Sequence, residues 1–264
     1  MKRNTANEVT VQLAIGIPIQ TAKGIWEIVK EVSVKKFTAQ DKVDVFSLAK
    51  NNPVAAGSEF LSRIITKPKM TAKEVSERVT TADRDVIMCE SYKHTRGTKV
   101  RWETECSNRN CGTKQTIVID FEMMEVKLDD KDIFHCIDGE MLYTVEIEGV
   151  GQVVLKYPTA FDLQKIDKIA RINELQAIYE LYALCLRKWG SNEGYGSNNR
   201  FPPKFVIEQG DKGDHDTIDQ LEKAVDDNTF GYEKQHYYRC NNCSRENRFA
   251  VDMMTFFFLN PLMK

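Results

Sequence analysis

Two pairs of cysteines constrain this chain more than any other feature. Cys106 and Cys111 stand in Glu-Cys-Ser-Asn-Arg-Asn-Cys-Gly, and Cys240 and Cys243 stand in Arg-Cys-Asn-Asn-Cys-Ser, more than a hundred residues further on. Closely spaced cysteine pairs can supply a tetrahedral tetrathiolate shell for zinc, because a tight turn within each pair aims both sulfurs at one ion about 2.3 Å away. The second pair has the ideal two-residue gap and the first a permitted four-residue gap. A redox pair, a disulfide and unrelated buried thiols are the alternatives. The flanks add to the spacing. Counted from the second cysteine of each pair, Ile117, Val118, Ile119 and Asp120 occupy the same offsets as Phe249, Ala250, Val251 and Asp252. Each segment reads as a short turn followed by a mainly apolar strand. The first is preceded by Val100, Trp102 and Thr104 alternating with Arg101, Glu103 and Glu105, so each knuckle is expected between two strands.

With 264 residues the chain can bury a substantial core as one large or two small domains. A formal net charge of −2 supplies no global basic field for gripping a phosphate backbone. No apolar run reaches the length of a membrane span, and the opening Met-Lys-Arg-Asn-Thr-Ala lacks the apolar stretch of a signal peptide. The chain is therefore expected to be intracellular when made. Seven cysteines, an odd number, suit reduced thiols better than a disulfide framework.

A duplication is legible along the chain. The strand-like Val32-Ser-Val-Lys-Lys-Phe runs into Thr38-Ala-Gln-Asp41, and Val153-Val-Leu-Lys-Tyr-Pro runs into Thr159-Ala-Phe-Asp162. A threonine with a carboxylate three residues on caps the free amides of a helix start and suits its dipole. The first half is expected to hold a hairpin around Gly24-Ile-Trp-Glu-Ile-Val-Lys, helices near 38–50 and 58–66, and further helix starts at Thr71-Ala-Lys-Glu74 and Thr80-Thr-Ala-Asp83. Its knuckle then ends near residue 121. The second half has strands around 140–157 joined through Glu148-Gly-Val-Gly151 and a helix after Thr159 holding Ile166, Ile169 and Ala170. A further helix has one apolar face of Leu175, Ile178, Tyr182, Cys185, Leu186 and Trp189, and the half closes with a knuckle after His236. The Gly-, Ser- and Asn-rich stretch 190–204 is expected to be an exposed loop. The reading is an α+β protein of two related halves, joined by a four-cysteine zinc ribbon. Its parts are an N-terminal β segment (1–36), a first helical part (37–93), a first knuckle with its strands (94–126), a second β element (127–158), a second helical part (159–235), and a second knuckle with an aromatic tail (236–264).

Thr81-Ala-Asp-Arg-Asp-Val-Ile-Met, the strand entering the first cysteine pair, the acidic and apolar strand after it, and a second pair before an aromatic end resemble the baseplate hub proteins of T-even-type contractile-tailed phages. Ile17-Pro-Ile-Gln-Thr-Ala-Lys-Gly24 is similar to the family's Leu-Pro-Ser-Lys-Gly opening, with isoleucine for leucine and no serine. The resemblance covers residues 13–260. Where the family usually has Cys-Pro-x-Cys-Gly, this chain has the four-residue gap and no proline, and Gly112 still follows. The resemblance implies a structural or assembly protein of the phage tail that binds other baseplate hub and tail chains and has no catalytic activity. Its expected place is the virion tail baseplate, after assembly in the host cytoplasm. An incorporated hub subunit is the favoured form and an assembly factor absent from the virion the alternative.

Other chemistries fit less well. Four cysteinates, Cys106, Cys111, Cys240 and Cys243, close the shell of a structural Zn2+, whereas a zinc enzyme keeps a position open. The His-x-Glu of nucleobase deaminases is absent, since His94, His135, His215 and His236 are followed two residues on by Arg96, Ile137, Thr217 and Tyr238. His236 is the best alternative ligand. Cys89, Cys136 and Cys185 read as packing thiols. The strongest rival is a nucleic-acid-binding ribbon. Lys99, Arg101, Arg109, Lys114, Arg239, Arg245 and Arg248 are interleaved with Trp102, Tyr237 and Tyr238, but Glu103, Glu105, Asp120, Glu122, Glu125 and Asp129-Asp130 would repel a polyanion. The end of the chain, Met253-Met-Thr-Phe-Phe-Phe-Leu-Asn-Pro-Leu-Met263, is either internal core or a docking segment for another subunit.

Overall fold

The computed structural model describes residues 7–194, 200–211, 215–233, 235–251 and 253. The chain opens with a long antiparallel hairpin of β1 (Glu8–Gln20) and β2 (Trp26–Lys35). Helices α1 (Ala39–Asn51) and α2 (Pro53–Ile64) follow, and α2 runs directly into β3 (Ile65–Lys67), which pairs with β2. The second helix starts earlier than its apolar pattern suggests. Pro53 occupies the first turn, where a missing N–H costs nothing, and the Asn52 side chain accepts from Ala55 N at 3.0 Å. Residues 65 and 66, expected in that helix, join the sheet as part of β3.

Next come α3 (Ala72–Arg78) and α4 (Thr81–Arg96), both beginning at the expected threonines. The α4 cap is also a tertiary joint. Asp83 is fully buried; its carboxylate accepts from Ile15 N (2.9 Å), Gly16 N (3.0 Å) and the Thr80 hydroxyl (2.9 Å). Those two amides lie where the β1–β2 register shifts between Gln12 and Ile17, so the bulge's free donors are satisfied by a helix start. Glycine is required there, because Gly16 has φ +113° and a Cβ would lie 2.6 Å from Ile28 Cγ2. Burial pushes the Asp83 carboxyl up from its ordinary value, opposed by the hydrogen bonds it receives.

After the hairpin β4 (Lys99–Glu105) and β5 (Lys114–Asp120) come a 3-10 turn at Phe121–Met123 and the short β6 (Val126–Lys127). β7 (His135–Ile137) and β8 (Glu140–Ile147) are joined by Asp138 and Gly139, both at positive φ as a two-residue hairpin turn demands. Trp26 of the first hairpin sits on this turn, so a Cβ at Gly139 would come within 2.7 Å of its ring. β9 (Gly151–Lys156) pairs with β8, then α5 (Ala160–Ala170) and α6 (Glu174–Cys185) lead straight into β10 (Leu186–Trp189), which pairs with β9. β11 (Asn192–Glu193), α7 (Pro203–Asp211), α8 (His215–Asp227) and β12 (Gly231–Tyr232) precede the last hairpin, β13 (Gln235–Arg239) with β14 (Glu246–Ala250).

The order hairpin, capped helix, helix, third strand, two helices, cysteine hairpin therefore occurs twice, and the fold is α+β. One hydrophobic cluster runs through both repeats, with Phe60, Ile87 and Phe121 in the first and Tyr143, Leu155 and Leu221 in the second. Thr80 and Thr159, the caps of α4 and α5, bridge to each other, and Thr81 N donates to Pro158 O at 2.9 Å. β6 and β12 pair between the two cysteine hairpins.

Two expectations need correction. The apolar face traced from Leu175 to Trp189 is not one helix, because Leu186–Trp189 adds a strand to the β8–β9 sheet. Nor is all of that face buried: Leu175 is 57 % exposed and Ile178 37 % exposed. Within the stretch 190–204, α7 begins at Pro203 and β11 occupies two residues, while residues 195–199 lie outside those described. Of the aromatic tail only Met253 is described; it is buried, and the docking segment otherwise lies outside the described residues. Among the described residues no helix is long and apolar enough to cross a membrane.

Candidate metal centre

The β4–β5 and β13–β14 hairpins end in the two knuckles and bring Cys106, Cys111, Cys240 and Cys243 together, each Sγ within 4.8 Å of the others. The knuckles close alike. Cys106 N donates to Thr113 O at 3.0 Å and Cys240 N to Arg245 O at 2.9 Å, each acceptor lying two residues beyond the second cysteine. The residue just after that cysteine, Gly112 (φ +52°) or Ser244 (φ +57°), is left-handed in both. The longer gap of the first pair is thus a two-residue insertion within the turn, with the strand register outside it preserved.

Two sulfur contacts cross between the hairpins: Cys106 to Cys243 at 3.6 Å and Cys111 to Cys240 at 3.7 Å. A tetrahedron with metal–sulfur bonds of about 2.3 Å has edges of about 3.8 Å, close to both of these separations, so the donor set suits zinc. These separations exceed the roughly 2.05 Å of a disulfide, and all seven cysteines are free. His236 is not in the cluster; it lies on β13 and stacks against Phe249, with ring centroids 5.6 Å apart.

Donors surround the sulfurs and come from the opposite hairpin as well as their own. Asn242 donates through its backbone N–H to Cys240 Sγ and through Nδ2 to Cys111 Sγ, both at 3.4 Å, and Asn108 Nδ2 lies 3.9 Å from Cys243 Sγ. Hydrogen bonds from the Thr113 side chain and backbone, then from Asn242, hold the Cys111 thiol down at about 6. The amides of Cys243 and Asn242 likewise lower that of Cys240. At Cys106 the Asn108 amide also favours the thiolate, but burial and the three neighbouring sulfurs outweigh it and push the thiol up to about 11. Adjacent sulfurs resist ionising together, and a divalent cation removes that conflict. Cys89 and Cys185, by contrast, are buried thiols pushed up to about 12 by desolvation, as packing residues would be.

The spacing points to the four clustered cysteines but not to the polar joint that places one hairpin on the other. Asn247, buried, accepts from Ser107 N and from Ser107 Oγ, both at 2.8 Å, and donates to Arg245 O at 2.9 Å. Gln115 accepts from Asn241 N at 2.9 Å and donates to Arg239 O at 3.1 Å. The Tyr238 hydroxyl donates to Glu105 O at 2.8 Å. Gln115 and Asn247 each stand four residues after the second cysteine of their pair. That shared carboxamide position was the available sequence signal.

A family model described as T4 bacteriophage base plate protein matches residues 18–259. No significant match to a curated protein or to a solved structure is found. The match spans both repeats and both cysteine hairpins, so the chain belongs to the T4 bacteriophage base plate protein family.

Proposed function

We propose that this baseplate protein is an incorporated subunit of the baseplate hub, acting through contacts with other hub and tail chains, and that its four cysteines hold one structural Zn2+ that ties the two cysteine hairpins together. The observation that carries the metal reading is the pair of sulfur–sulfur edges at 3.6 and 3.7 Å between hairpins more than a hundred residues apart. Four protein thiolates leave no coordination position for water or substrate, which supports a structural ion and a protein without catalytic activity. Ligation of this kind contributes about 10–16 kcal/mol in small zinc modules, comparable with the whole net stability of a domain. The resemblance at Thr81-Ala-Asp-Arg-Asp and at the cysteine pairs supports the hub assignment. Metal analysis of the purified chain should find one zinc per molecule, and mass spectrometry of finished virions should find the chain. A metal-free protein that is fully folded sinks the zinc reading. A chain present in assembly intermediates but absent from virions makes it an assembly factor instead.

A further inference from the structure

The two cysteine hairpins exchange the same carboxamide-to-amide contact in both directions. Asn247 of the second hairpin binds the amide of Ser107, the residue after Cys106, and Gln115 of the first binds the amide of Asn241, the residue after Cys240. Each therefore reaches across to the backbone that carries the other hairpin's first ligand. Asn247 is the stronger of the two, being 3 % exposed and using three hydrogen bonds, two of them at 2.8 Å. None of these contacts passes through a sulfur, so they hold without a metal. Short backbone-anchored contacts of this kind restrict where a ligand can point, as outer-shell partners of metal ligands do.

We propose that Asn247 and Gln115 are the positioning residues of the metal centre: they set the register of one knuckle on the other and bring the four sulfurs within coordinating distance before an ion arrives. This rests on the zinc reading above. The test uses the full chain, with zinc affinity measured by competition with a chromophoric chelator and the ligand set by the charge-transfer spectrum after cobalt(II) substitution. Asn247→Leu should still bind one metal with a four-thiolate spectrum, but about tenfold to hundredfold more weakly. Asn247→Asp, which keeps the acceptor for Ser107, should recover most of that loss. In the metal-free wild type the Ser107 and Asn241 amides should be protected from hydrogen exchange, and the protection of Ser107 should be lost in Asn247→Leu.

An affinity within twofold of wild type, with equal drops in melting temperature for metal-free and metal-loaded protein, would reduce Asn247 to a packing residue and overturn the proposal. Should Asn247→Leu unfold the hairpins outright, Gln115→Leu at the less buried equivalent position carries the same test, with Asn241 as the reporting amide. A wild-type chain that binds no metal removes the zinc reading and this proposal together, whereas normal wild-type binding with unaffected variants removes this proposal alone.

Discussion

Replacing Asp83 with alanine should be among the most damaging single changes in the first repeat, and the structure indicates by how much. The carboxylate accepts from two backbone amides at the β1 bulge, Ile15 N and Gly16 N, and from the Thr80 hydroxyl, all in a fully buried setting. Alanine leaves both amides without a partner and out of reach of water. Each such orphan costs about 1–3 kcal/mol. Loss of the hydrogen bond from the Thr80 hydroxyl adds about 1 kcal/mol, so the sum is about 3–7 kcal/mol against a typical net stability of about 5–15 kcal/mol. Thr71→Ala is the internal control. It removes the capping box of α3 at an exposed helix start, where water replaces the lost contacts, and should cost only about 1 kcal/mol. Urea unfolding followed by far-ultraviolet circular dichroism, at fixed zinc concentration, compares the two. A loss for Asp83→Ala no greater than that for Thr71→Ala would refute the view that the carboxylate satisfies the bulge, and would leave Asp83 as an ordinary cap.

Gly16→Ala attacks the same joint from the strand side. With φ at +113° and Val29 O only 3.1 Å from the new Cβ, besides the Ile28 contact, it should cost about 2–4 kcal/mol in the same assay, and the double variant with Asp83→Ala should fall short of additivity because the sites touch. Cys106→Ser and Cys243→Ser should each release zinc and lose the folded cysteine hairpins, read by metal analysis and hydrogen exchange; full retention in both would refute a single shared site. Asp162 is buried, and although burial alone would raise its carboxyl, the Lys156 ammonium 2.6 Å away and hydrogen bonds from Thr159 hold it below the ordinary value. Its native pKa is thus below its unfolded one, so its contribution is present above the unfolded value near 3.8 and is lost as pH falls through the lower native value. Lys156→Met should remove that acid-limb contribution from a stability–pH profile, and an unchanged profile would show that the pair is not coupled to folding.

The three Thr-x-x-Asp starts separate local from tertiary information. Each was legible because capping depends on residues three apart, and all three head helices. Their surroundings were not. Thr38 and Asp41 form an exposed cap, Thr80 and Asp83 a fully buried one that holds a strand bulge, and Thr159 and Asp162 a buried one paired with Lys156. Similarly, the three- and four-residue period from Leu175 onward predicts a helix to Trp189, but the sheet edge of β9 offers backbone partners to Leu186–Trp189 and draws them into a strand. Local pattern has no access to a partner that lies thirty residues away.

The cysteine centre divides the same way. The sequence alone determined the four candidate ligands, the turn inside each pair and the matching strand register beyond it, because knuckle geometry is set by neighbours in the chain. Only the tertiary structure decided that the two pairs come together in one cluster, with sulfur contacts between different hairpins, and that Asn247 and Gln115 hold the hairpins together. The physical reason is that a tetrahedral shell and a hydrogen bond both act over a few ångströms of space and carry no memory of separation along the chain.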